Sequence, residues 1–138
     1  MADHRWVTLE RVDEGVYRAR NRRGGELVFG SKAGERFSPV ELLLAAIAGC
    51  SAVDVDVVTG RRSAADEFTA RVDAEVVRDE HGQHLQDIRL SFHVTCPAGE
   101  AGDAARAILP RAVKASHDRT CTVSRTIETG VPITVTVD

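Results

Sequence analysis

Residues 38–60 constrain the fold more than any other stretch of the chain. Ser38 suits a helix N-cap and Pro39 the first helical position, while Glu41 sits where its carboxylate can reach back to the cap's own N–H. Between Val40 and Val53 the one charge is Glu41, so the spacing predicts a helix to about Val58 that is apolar nearly all round. Thr59-Gly60 closes it and Arg61-Arg62 complements its negative end. Such a helix should be buried on most sides. A single chain of 138 residues encloses it with difficulty, and a dimer that shares it does so more easily.

The flanking sequence alternates in a way that predicts strands. Trp6 to Val12, Val16 to Asn21 and Glu26 to Phe29 are separated by turn signals at Asp13-Glu14-Gly15 and Gly24-Gly25. Phe68, Ala70, Val72, Ala74 and Val76 share one face of a strand. After the turn at Glu80-His81-Gly82, Ile88, Leu90, Phe92 and Val94 share a face of the next. Cys96-Pro97 ends that strand. Asp103 to His117 has helical spacing, with Pro110 implying a kink or restart, and Val131 to Val137 alternates as a last strand. Strands, helix, strands, helix and strand make a single α+β domain spanning residues 1–138.

A net charge of −3 argues against nucleic acid or an anionic membrane surface as a partner, although Arg18, Arg20, Arg22 and Arg23 form a short basic run. The opening residues lead into a strand without a long apolar run. No stretch reaches the roughly 18 uncharged apolar residues of a membrane span, so a cytoplasmic location is expected. The spacings His93-x-x-Cys96 and His117-x-x-x-Cys121 lack the partners that would complete a zinc site, and no metal or other cofactor is expected.

Three cysteines in such a chain suggest thiols or a reversible pair rather than a disulfide frame. Cys50 lies deep in the apolar helix and Cys121 follows the second helix. Thiol chemistry needs the thiolate, and burial opposes it. Cys50 is also too far from the helix N-terminus to draw on its dipole. A reactive Cys50 therefore needs a cation, and Arg18, Arg20, Arg22, Arg23, Arg36 and Arg125 are the candidates. Without one, Cys50 is a small core hydrophobe. Glu41 and Cys50 fall on opposite sides of one helix, about 13 Å apart along its axis. Glu41 of one copy could meet Cys50 of a second copy across a two-fold axis.

Ser38-Pro39-Val40-Glu41-Leu42 through Gly49-Cys50-Ser51-Ala52, with Cys121-Thr122-Val123-Ser124 far downstream, resembles the OsmC/Ohr family. These are osmotically inducible and organic hydroperoxide resistance proteins, and the likeness spans essentially the whole chain. It implies antiparallel sheets around two central helices in an intertwined homodimer. By the same resemblance Cys50 is the peroxidatic cysteine, Cys121 the resolving cysteine and Glu41 the family's carboxylate. The implied activity is reduction of organic hydroperoxides through a two-cysteine cycle, reset by a dithiol reductant of lipoyl type. Some members carry an activating arginine before the cysteine helix. Gly30 falls nearest that position here, leaving Arg18 or Arg20 to fill the role. Two other readings keep the same residues: a weakly catalytic or non-catalytic protein that binds a lipophilic small molecule, and a redox sensor using the Cys50–Cys121 pair.

Overall fold

The computed structural model describes residues 2–138, with the element order β1 (Val7–Asp13), β2 (Val16–Asn21), β3 (Glu26–Phe29), α1 (Pro39–Gly60), β4 (Glu67–Asp79), β5 (Gly82–Thr95), α2 (Glu100–Ala115), a π turn (Ser116–Thr120) and α3 (Thr122–Glu128). The fold is α+β. Its residues gather into two compact units, one reaching to Leu44 and the other spanning Ala45–Asp138, so the chain passes from one to the other within α1.

The first unit is an antiparallel meander in the order β1-β2-β3. Arg18 on β2 lies opposite Glu10 and Val28, and Arg20 opposite Thr8 and Glu26, so both arginines stand among carboxylates on one face. Gly30 follows β3 at φ 154°, and a Cβ there would come within 2.0 Å of the Gly15 carbonyl oxygen. No side chain fits at that position without moving the backbone. The first turn of α1 is closed as expected. The Ser38 N–H donates to Glu41 Oε1 at 2.9 Å and the Glu41 N–H donates to Ser38 Oγ at 3.2 Å.

In the second unit α1 buries Ile47, Ser51, Val55 and Thr59, one residue per turn. This is narrower than the expected burial on most sides: Val53 and Val57 remain 65% and 51% exposed. By length and composition α1 could also cross a bilayer, contrary to the expectation from uncharged runs. Two features count against that reading. Asp54 and Asp56 interrupt it, and the Asp54 carboxylate is bonded within its own unit.

The β4–β5 hairpin is longer than the alternation suggests. Its register slips by one residue between Asp73 and Glu75, where Asp87 on β5 takes a positive φ of 53°. The extra residue is on β5, so along that strand the half-buried positions pass from Phe92 and Leu90 to Leu85, which pairs with Val76; Val76 itself is 57% exposed. Phe68 and Phe92 meet edge to face across the hairpin at 5.9 Å.

Helix α2 begins earlier than expected and runs through Pro110 without ending. Gly102 lets it approach the preceding loop, since a Cβ there would lie 1.7 Å from the Pro97 carbonyl oxygen. After α2 the chain widens into the π turn, closed by the Cys121 N–H donating to the Ser116 carbonyl at 2.8 Å. Helix α3 then occupies residues that the sequence left between the second cysteine and the last strand. The last strand itself does not form. Ile133, Val135 and Val137 are 88%, 80% and 93% exposed, because Val131–Val137 has no ladder partner among the described residues.

Candidate active site

Although 71 positions separate them in the sequence, Cys50 and Cys121 lie close enough in the second unit for each to act on the other's ionisation. Both are free thiols; Cys121 is fully buried and Cys50 half-buried. Helix α1 carries Cys50 on a face beside its buried stripe. Cys121 sits at the joint between the π turn and α3, in extended conformation with φ −75° and ψ 99°.

Burial pushes the Cys50 thiol above its ordinary value, and the neighbouring Cys121 adds to this. The backbone N–H groups of Val123 and Thr122 act in the opposite sense by favouring the thiolate, without overcoming burial. Burial also acts on Cys121, but there the hydroxyl and N–H of Ser124 and the Cys50 thiol prevail, so Cys121 lies below its ordinary value despite the opposing charge of Asp54. Ser124 Oγ lies 3.2 Å from Cys121 Sγ. It accepts from the thiol when that is protonated and can donate to the thiolate. No cation of the second unit is among the groups acting on either sulfur.

Asp54 links α1 to the π turn. Its Oδ2 accepts from Ser116 Oγ and from Thr120 Oγ1, each at 2.9 Å. Ser51 Oγ lies 3.1 Å from Ser116 Oγ. Because Ser116 uses its hydrogen on Asp54, Ser51 is the donor in that pair. Sequence reasoning missed this set, although one signal was present: a charge one turn beyond Cys50 in an otherwise apolar helix.

Beside these groups is a cavity of about 330 Å³, lined by Ile47, Leu90, Phe92, Val113 and Ile127, with Ser51, Ser124, His117 and Glu128 among its polar walls. His117 Nε2 lies 2.8 Å from Glu128 Oε1 and Nδ1 lies 3.0 Å from Asp118 Oδ1, tying the π turn to α3. The hydrogen bond that His117 donates to Asp118, with help from Glu128, raises the His117 pKa.

The other candidates belong to the first unit. Arg18 is 3.0 Å from Glu10, and Arg20 is 2.8 Å from Glu26 and 3.3 Å from Glu10. The Arg20 pKa is raised by its bond to Glu26 and then by the Glu10 charge, so its own sheet already balances it. Glu41 is occupied by the helix cap.

The profile of the OsmC-like protein family matches residues 32–136, taking in α1, both cysteines and all of the second unit's helices. This chain belongs to the OsmC-like family. It is 28% identical over 134 residues to an uncharacterized protein of Mycobacterium tuberculosis, covering 96% of this chain and 93% of that one. Its fold is similar to that of a hypothetical protein from Aquifex aeolicus, with a TM-score of 0.75 at 24% identity, covering 93% of this chain and 89% of the other. It is also similar in fold to an organic hydroperoxide resistance protein OsmC from Legionella pneumophila, with a TM-score of 0.60 at 17% identity, covering 92% and 90%.

Proposed function

We propose that this OsmC-like chain is a stress-related redox protein of the cytoplasm, acting as a homodimeric thiol peroxidase on organic hydroperoxides. The observation that carries this reading is the pairing of Cys50 with Cys121 beside an apolar cavity. In the first step the Cys50 thiolate attacks the terminal peroxide oxygen. The O–O bond breaks, the alcohol leaves with a proton, and Cys50 becomes a sulfenic acid. In the second step the Cys121 sulfur displaces the sulfenic oxygen as water and a disulfide forms. A dithiol reductant then returns both thiols. The apolar lining suits an alkyl or lipid hydroperoxide better than hydrogen peroxide.

Because burial holds Cys50 protonated, the reading needs a cation at its sulfur. It assigns that charge to Arg18 or Arg20 and the orienting carboxylate to Glu41, in an assembled dimer. The test is dithiol-dependent turnover of cumene hydroperoxide together with the pH dependence of Cys50 alkylation. Turnover should vanish in Cys50→Ser and stall at the sulfenic acid in Cys121→Ser, with Cys50 ionising below ~8.5 in the native protein. A Cys50 that ionises above that value and turns over no peroxide would overturn the reading. The upward push on Cys50 favours a second reading, a slow redox sensor, whose mark is a Cys50–Cys121 disulfide that forms without useful turnover.

A further inference from the structure

We infer that Asp54 is the positioning residue for Cys121, clamping the π turn to α1 so that the resolving thiol stays within reach of Cys50. Asp54 follows Cys50 by four residues on α1, which places the two side chains on one face a turn apart. Its single oxygen Oδ2 takes hydrogen bonds from Ser116 and Thr120, the first and last residues of the π turn. The carbonyl of Ser116 receives the Cys121 N–H at 2.8 Å, and Thr120 is covalently joined to Cys121. Both ends of the segment that delivers Cys121 are therefore fixed to the helix that carries Cys50. Ser51 adds a third tie through the Ser116 hydroxyl.

A π turn is strained relative to an α-helix and persists where its surroundings hold it. The Asp54 bonds supply that hold from one side and the His117–Glu128 contact from the other. The chemical consequence falls on the second step of the cycle proposed above, on which this inference rests. There the S–O bond of the Cys50 sulfenic acid breaks, the S–S bond to Cys121 forms, and the Cys121 proton leaves with the hydroxide as water. Fixing the two sulfurs on one frame raises their effective concentration, the usual source of rate in such intramolecular steps.

The experiment equilibrates the full-length protein in glutathione redox buffers and measures the Cys50–Cys121 disulfide by alkylation and mass spectrometry. Asp54→Ala should weaken that disulfide about tenfold, a shift of about 30 mV. Asp54→Asn should stay within about twofold of the native protein, because its carbonyl oxygen can still accept both hydroxyls. Under cumene hydroperoxide, dimedone-trapped sulfenic acid at Cys50 should build up in Asp54→Ala and not in Asp54→Asn. If Asp54→Ala fails to fold, the double variant Ser116→Ala/Thr120→Ala should show the same loss with the carboxylate retained. An alanine variant with the native equilibrium, or an asparagine variant as impaired as alanine, overturns the clamp. A native protein that forms the disulfide in glutathione but not with peroxide leaves the clamp standing and sinks the peroxidase reading. A native protein that forms it under neither condition sinks both.

Discussion

At the scale of single residues the chemistry turns on which groups reach which sulfur. Burial, with the neighbouring Cys121, disfavours ionisation of Cys50 against the backbone N–H groups of Val123 and Thr122, whereas Ser124 supports the thiolate of Cys121. The same scale holds a pH-sensitive contact. Asp118 first, and Glu128 after it, raise the His117 pKa. The folded value lies above the unfolded one, so the contribution of these contacts is fully present below about pH 6.5 and is lost as pH rises through the folded value. Urea midpoints should therefore fall modestly across that rise, and His117→Gln should remove that component of the slope. His117 is exposed, so the effect is small, and an NMR titration of its ring gives the direct check.

At the scale of elements, α1 is the frame of the site, and its beginning was legible for local reasons. A capping box uses side chains and N–H groups within four residues, so Ser38, Pro39 and Glu41 announce the helix without reference to the rest of the chain. This gives Glu41 two separable roles. Glu41→Ala should lose about 1 kcal/mol of stability through the cap. Glu41→Gln should retain most of that stability, since glutamine also completes the box, while lowering peroxidase turnover at least about tenfold if the carboxylate orients an arginine. Equal activity in Glu41→Gln and the native protein would confine Glu41 to capping. The π turn and α3 were not legible in the same way. The π turn is held by Asp54, more than 60 positions away in the sequence, and α3 is too short for periodicity to separate from a loop. The exchange of faces along β5 was equally hidden, because one extra residue at a bulge leaves the apolar alternation nearly intact on paper.

At the scale of the whole molecule, apolar surface remains in places where a lone chain would pay for it. Val53 and Val57 are exposed on α1, and Val131–Val137 presents an alternating edge with apolar side chains in the open. In the proposed homodimer α1 would be covered and the C-terminal segment paired. Sedimentation equilibrium at micromolar concentration should give a dimer, with a Tm that rises with protein concentration. Val53→Asp/Val57→Asp should shift the proposed dimer toward monomer by at least about a hundredfold in Kd, the cost of burying unpaired charge. A native protein that sediments as a monomer would remove the dimer, and with it the expected route for an arginine to Cys50.

The sequence by itself determined the α+β class, the capped apolar helix, the first three strands and the hairpin, because each rests on contacts within a few residues or on a simple alternation. It also marked Cys50 and Cys121 as a pair through family resemblance. Only the tertiary structure decided that the two cysteines lie near each other and that Asp54 fastens the segment carrying the second one. Those outcomes depend on groups distant in sequence sharing a few ångströms of space, and on the loss of water around them. Neither condition is written in local spacing.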